Sequence, residues 1–410
     1  MQIPIRNAFW PILRQWLYLL RQTVRSMDQH NLSEQGEAMH IDPFGVEIWM
    51  NEWEFKCELN LAETCVESLT IEQLLALSGK NASDLSALLD LKMTYGEIRG
   101  STRLVRAICA LYQRQTAENV IVTHGTIGAN MLVHKSMISR GDRVVAVVPT
   151  YQQHYSIPAS IGAEVHQLRL REEDGFLPDL DALRCLVTPQ TRLIAINNPN
   201  NPTGALMDRA MLEEIAQIAR DADAWLLCDE VYRGTDQHGD GMTDAVADIY
   251  EKGISTAGMS KAFSLAGLRL GWIAGPSEVI EAVSIHRDYD TISVGKIDDH
   301  FAALALESSD RVLARSKKIT RDNLAILEDW VAGEPKIAWV KPKSATVTLL
   351  RYDVDMPSEA FCIQLLKETG VLLTPGSAFG MEGYLRIGFA NPQADLITGL
   401  AKISDFLARL

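Results

Sequence analysis

Gly258-Met259-Ser260-Lys261-Ala262-Phe263-Ser264-Leu265-Ala266-Gly267-Leu268-Arg269-Leu270-Gly271-Trp272 leaves one β-rich run, 254–258, and enters another, 270–274. A lone lysine is usually a solvated surface charge. Lys261 instead follows an apolar stretch and precedes Phe263 and Leu265, so its surroundings are expected to be partly dry. Desolvation lowers a lysine's pKa and favours the neutral amine that attacks an aldehyde. Eight residues on, Arg269 offers a fixed fork of donors suited to a phosphate. An aldehyde that also carries a phosphate points to pyridoxal 5′-phosphate, held as a Schiff base on Lys261.

Short β-rich runs alternate with helical-period segments around this stretch, as in a mostly parallel sheet covered on both faces. Strands are expected at 119–123, 143–148, 164–168, 192–197, 225–228, 254–258 and 270–274, and helices at 128–138, 151–161, 208–222 and 278–286. The segment 280–334 turns helical. Strands at 337–339, 345–350 and 384–389 with a helix at 359–368 then read as an α+β module, completed by residues before about 75. The expected organisation is an extension at 1–27, a first part of a small domain at 28–75, a large cofactor-binding domain at 76–300 and a C-terminal small domain at 301–410. The extension has four arginines and no acid, and its longest apolar run, 16–20, is far too short to span a bilayer. It reads as an amphipathic or targeting helix or, preferably, as sequence upstream of a natural start at Met27 or Met39.

A formal charge of −14 argues against non-specific nucleic-acid binding. Six scattered cysteines without a CxxC pair fit reduced thiols in the cytoplasm. The nine histidines lack ligand spacing, and the polar insert 236–244 lacks the alternating carboxylates of a cation loop, so no metal is expected.

The cofactor makes four demands, and each has a candidate near the end of an expected strand, where open α/β sheets bind ligands. The first is a carboxylate that keeps the pyridine nitrogen protonated. Asp229 closes the apolar strand Trp225-Leu226-Leu227-Cys228, while strand alternation turns its competitor Glu230 to the other face. Donors to the phenolic oxygen are Tyr232 and Asn201, the latter in Asn197-Asn198-Pro199-Asn200-Asn201-Pro202-Thr203-Gly204, where X-Pro bonds permit a cis peptide. The phosphate suits Gly125, Thr126 and Ile127 in Thr123-His124-Gly125-Thr126-Ile127-Gly128, a strand-to-helix turn with free N–H groups. Arg386, a lone cation in Tyr384-Leu385-Arg386-Ile387-Gly388-Phe389, reads either as a structural ion pair or as a clamp on a substrate's α-carboxylate.

With these motifs in order, roughly residues 55 to 410 resemble the fold-type I, class I/II aminotransferase family. The matching stretches include Tyr95-Gly96-Glu97-Ile98-Arg99-Gly100, Pro149-Thr150-Tyr151, Asn201-Pro202-Thr203-Gly204, Asp229-Glu230-Val231-Tyr232 and Pro375-Gly376. The resemblance implies that Tyr151 stacks on the cofactor ring. It also implies a homodimer with shared sites, in which Tyr95 reaches the neighbouring subunit's phosphate. Gly258 stands where the family usually has a phosphate-binding serine; Ser255, Thr256 and Ser260 are the candidates to compensate. The resemblance further implies transamination between an L-amino acid and a 2-oxo acid, with Asn201 and Arg386 binding substrate. Leu59-Asn60-Leu61-Ala62-Glu63-Thr64-Cys65 is more similar to 1-aminocyclopropane-1-carboxylate synthases. More loosely, His124-Gly125 and Arg287-Asp288-Tyr289-Asp290-Thr291 resemble capreomycidine synthase, which cyclises a hydroxyarginine. On that likeness Glu63 is either a substrate-binding residue, for a cationic side chain or for elimination or cyclisation chemistry, or a capping glutamate.

Overall fold

The computed structural model describes residues 40–410, so the segment 1–27 lies outside the described residues. A short strand β1 (Leu59–Asn60) precedes the strands of the main sheet. Those are β2 (Val120–Thr123), β3 (Arg143–Val148), β4 (Glu164–Arg169), β5 (Thr191–Asn197), β6 (Trp225–Asp229), β7 (Gly253–Gly258) and β8 (Gly271–Ala274). They lie in the order β2-β8-β7-β6-β5-β3-β4, and only β8 runs against the rest. This is the expected seven-stranded, mostly parallel sheet of an α/β fold. The inner strands β3, β5 and β6 are buried along nearly their whole length, which is why they read as near-continuous apolar runs rather than alternating ones. β4, at the edge, is largely exposed and carries Glu164, His166 and Arg169, polar side chains that blunt an open edge.

Parallel strands end together. Asn197, Asp229 and Thr256 are neighbours in register across β5, β6 and β7, and Gly258 faces Gly271 across β7 and β8. The helix after β2, α1 (Gly125–Met137), opens three residues earlier than expected. Gly125 takes φ +71, a left-handed conformation that costs glycine little, so Thr126 and Ile127 fall in the first helical turn, where N–H groups lack helical partners. A Cβ at Gly271 would lie 2.5 Å from both Gly125 C and Thr126 N, so β8 brings bare backbone against this turn.

A second sheet, in the order β12-β13-β10-β9, is antiparallel and comprises β9 (Ile337–Trp339), β10 (Val347–Tyr352), β12 (Thr374–Pro375) and β13 (Tyr384–Gly388); β11 (Val371–Leu372) pairs instead with β1. Its apolar cluster draws Trp49 and Leu61 from early in the chain together with Phe361, Phe389 and Phe406. A helix at Gln393–Leu407, unassigned from sequence, closes this core through Leu396, Leu400, Ile403 and Phe406. The 25-residue helix Ser309–Gly333 joins the two cores, with Val312 and Leu313 in the main one and Leu324 and Leu327 in the second.

The segment 61–63 lies directly on β13. Gly388 N donates to Leu61 O at 2.7 Å, and a Cβ at Gly388 would fall 1.9 Å from Glu63 O. Backbone cannot yield as a side-chain tip can. Gly388→Ala is therefore expected to lower stability by about 1–3 kcal/mol, the range for overpacking, as read by urea denaturation. Wild-type stability in that variant would show that the segment moves freely.

Candidate active site

The carboxyl edge of the main sheet and the segment around Arg386 enclose a cavity of about 330 Å³. Its lining includes Glu63, Thr126, Ile127, Tyr151, Asn201, Asp229, Tyr232, Ser260, Lys261, Arg269 and Arg386, nearly all the candidates named from sequence. Gly125 adjoins it at the turn beside Arg269. Tyr95 is elsewhere. The residue is 78% exposed, in a groove with Met93, Gly96 and Val294, and it does not line this cavity.

At one end the first turn of α1 meets Arg269. Arg269 has φ +48, and its Nη1 donates to Ala266 O at 2.8 Å and approaches Ser260 Oγ at 3.5 Å. Its Nη2 lies 3.1 Å from where a Cβ on Gly125 would sit. Thr126 Oγ1 is buried with no hydrogen-bond partner among the described residues. Two of the hydroxyls considered as compensating for Gly258 are committed elsewhere: Ser255 donates to Glu230 Oε1 at 2.7 Å and Thr256 to Asn130 Oδ1 at 2.7 Å. Ser260 and Thr126 face the cavity. The reason for glycine at 258 is steric, since a Cβ there would sit 2.4 Å from Thr126 Oγ1.

Asp229 is 4% exposed and held from three sides. Asn130 Nδ2 donates to its Oδ2 at 2.8 Å, Val231 N donates to Oδ1 at 3.1 Å, and His154 Nε2 lies 3.7 Å from Oδ2. Behind His154 stands His134, with ring nitrogens 3.4 Å apart, and burial together with the charge of His154 holds His134 well below the usual histidine pKa. Asn130, His154 and His134 were not found from sequence. Asn130 and His134 lie inside ordinary helical periods, and only the packing of α1 on the helix Gln153–Ile161 reveals them. Glu230 points away, as strand alternation requires, accepting from Ser255 and Val246 N; burial lifts its pKa to about 7.

Lys261 is half-buried. Its Nζ donates to Thr64 Oγ1 at 2.5 Å and lies 3.4 Å from Cys65 Sγ. The expectation of a depressed pKa is corrected here. Burial lowers it, but the charges of Cys65, Tyr232 and Glu63 outweigh burial and raise it above the ordinary lysine value. In turn, burial works to raise the Glu63 carboxyl, while Lys261 and hydrogen bonds from Cys65 and Thr64 hold it below its usual range. Cys65 is itself pushed up to about 11 by burial. Glu63 thus caps its own loop: Oε1 accepts from Thr64 N at 2.6 Å and Cys65 N at 2.8 Å, and the carboxylate still lines the cavity.

Arg386, 2% exposed, is held by neutral groups. Nη1 donates to Asn201 Oδ1 at 3.1 Å; Nη2 donates to Ala62 O at 3.0 Å and Thr374 Oγ1 at 3.1 Å; the guanidinium lies over Phe379. Nε has no partner, and no carboxylate among the described residues lies within ion-pair distance. The structural ion pair considered for Arg386 is therefore absent among the described residues. Asn198–Pro199 and Asn201–Pro202 are both cis. Tyr151 OH donates to Glu47 Oε1 at 2.6 Å, and its ring packs on Phe44 at 4.6 Å.

Pyridoxal 5′-phosphate fits these residues. The orphaned Thr126 hydroxyl, the first-turn amides and Arg269 form a cradle for a dianion, and the Gly125 position would close it if it bore a Cβ. The buried carboxylate of Asp229 suits a protonated ring nitrogen, and Lys261 supplies the amine.

The sequence profile of aminotransferase class I and II matches residues 84–403. Among characterised relatives, the capreomycidine synthase of Streptomyces vinaceus is 30% identical over 367 residues, covering 88% of this chain and 93% of its own. An aspartate aminotransferase of Pyrococcus horikoshii is 32% identical over 295 residues, covering 71% of this chain and 75% of its own. Among solved structures, a PLP-dependent aminotransferase from Streptococcus suis superposes with a TM-score of 0.87 at 44% identity, covering 90% of this chain and 98% of that one.

Gly258→Ser drives a Cβ toward Thr126 Oγ1, so thermal denaturation of the purified protein is expected to show a lower Tm, by roughly 1–3 kcal/mol of stability. Adding Thr126→Gly removes the obstacle and should recover most of the loss. A double variant no more stable than Gly258→Ser would mean that Leu270 O and Gly271, 3.0 and 3.2 Å from the same Cβ, set the limit instead.

Proposed function

Because the chain belongs to the class I and II aminotransferase family, with pyridoxal 5′-phosphate as its cofactor, we propose that it moves the α-amino group of an L-amino acid to a 2-oxo acid. The carrying observation is that Arg386, buried without a carboxylate partner among the described residues, lines the same cavity as Lys261 and Asp229. In this reading Arg269, Thr126, Ser260 and the α1 amides hold the phosphate, and Asp229 holds the pyridine nitrogen. Tyr232 and Asn201 take the phenolic oxygen, and Tyr151 the ring.

When bound, the cofactor supplies an aldehyde for amine exchange and a ring that accepts electron density as the substrate's Cα loses its proton. Arg386 binds and orients the α-carboxylate, which its unpaired Nε leaves it equipped to do. Freed by the incoming amine, Lys261 Nζ takes the Cα proton as general base. Asp229, fixed by Asn130 and backed by His154, keeps a negative charge aimed at the ring nitrogen throughout.

Members of the family are typically dimeric. Exposed Leu89, Met93, Tyr95, Ile98, Tyr289 and Ile292 lie on two segments tied by Lys296 Nζ donating to Lys92 O at 3.1 Å, which supports a homodimer sharing Tyr95 between subunits. Among the described residues no helix is long and apolar enough to cross a membrane. Scattered free cysteines support the cytoplasm as the location.

A second reading, elimination or cyclisation, has its own support: a charged glutamate, Glu63, stands beside Lys261, and capreomycidine synthase is among the relatives. Mass spectrometry of products from a panel of amino acids with 2-oxoglutarate separates the two. Transamination yields glutamate and a new 2-oxo acid in equal amounts; ammonia release or a cyclised product without glutamate would sink the first reading. Arg386→Lys is expected to lower kcat/KM by at least about tenfold for every amino acid, since a charge-assisted hydrogen bond contributes roughly 1.5–3 kcal/mol. Tyr95→Phe and Lys261→Ala proteins, mixed under subunit exchange, should regain activity because one hybrid site is intact. Exchange without recovery would rule out sharing.

A further inference from the structure

The cavity lining carries the cations Lys261, Arg269 and Arg386 and the anions Glu47, Glu54, Glu63 and Asp229. On the reading above, each cation is committed: Arg269 to phosphate, Arg386 to the α-carboxylate, Lys261 to the aldehyde. Asp229 is committed to the ring nitrogen. The three glutamates remain, and nothing in that assignment offsets them.

Their placement is specific. Val46, Met50 and Glu54 follow one another at four-residue spacing along and just beyond the helix Gly45–Trp53, and all three line the cavity. That face is apolar for two positions and acidic at the third. Glu47, on the same helix, has one oxygen occupied by Tyr151 OH, and Glu63 has one occupied by the amides of Thr64 and Cys65. The Glu54 side chain makes no hydrogen bond or ion pair with any described residue. Burial, then the charges of Glu63 and Glu47, raise its pKa, with Lys261 opposing them. An acidic cluster alone names no ligand. Here the unpartnered Nε of Arg386, in a side chain 2% exposed, independently calls for a ligand anion in the same cavity.

We propose that the substrate is an L-amino acid whose side chain ends in a cation, guanidinium or ammonium, received by Glu54 and Glu63 with Glu47 beside them. Its methylenes lie along Val46 and Met50 as long cationic side chains do on apolar surface. This rests on the amino-acid reading of the cavity and adds the identity of the side chain to it. A neutral side chain leaves the carboxylates uncompensated, and an acidic one adds to their repulsion.

The test is a titration of purified holoenzyme, followed by the absorbance of its bound cofactor, with L-arginine against its neutral counterpart L-citrulline, L-lysine against L-norleucine, and L-glutamate. Each cationic amino acid should bind at least about tenfold tighter than its neutral partner, and glutamate most weakly. Glu54→Gln and Glu63→Gln should each reduce that preference severalfold, with near-UV circular dichroism confirming native packing. Citrulline and norleucine binding as tightly as arginine and lysine, or an undiminished preference in both variants, would overturn the proposal and leave the amino-acid reading standing. If no amino acid perturbs a bound cofactor's spectrum, both readings fall.

Discussion

A guanidinium with almost no exposure must be hydrogen-bonded, and Arg386 obtains its bonds from three distant parts of the chain. Asn201 comes from the loop after β5, Ala62 O from the segment laid on β13, and Thr374 from the neighbouring strand β12. These partners are neutral. They satisfy donors without neutralising the charge, so the cation stays available to an anion entering the cavity. The arrangement links the main sheet, the second sheet and the early segment at one atom group, which makes the cavity's geometry a property of the whole fold.

The same segment that gives Arg386 a carbonyl also surrounds Lys261. Thr64 and Cys65 touch its Nζ, and Glu63 faces it from within hydrogen bonds that keep the carboxylate ionised. Burial by itself lowers the pKa of this lysine. Interactions with Cys65, Tyr232 and Glu63 outweigh it and raise the pKa above the ordinary lysine value.

Backbone proximity explains the departure at 258. The turn of α1 approaches β7 and β8 so closely that neither Gly258 nor Gly271 tolerates a Cβ without displacement of Thr126 or of the turn itself. The Thr126 hydroxyl on the helix side lies 2.4 Å from where a Cβ at Gly258 would sit.

The sequence by itself determined the main sheet, because continuous apolar runs leave few alternatives for a buried parallel strand, and it located Lys261, Asp229 and Arg269 at strand ends. It also set Arg386 apart as a charge inside an apolar strand. Other features were legible but passed over, such as the 3.6-residue period of Gln393–Leu407. Tertiary structure alone decided the rest. Asn130 and His154 become partners of Asp229 only because two helices pack against each other beside it, and no local pattern encodes a contact across 99 residues. Whether Glu63 capped a loop or faced the cavity was open in sequence; it does both, since a carboxylate has two oxygens and β13 fixes the loop's position. The raised pKa of Lys261 likewise follows from charges gathered from distant segments, a sum over space that a linear chain does not display.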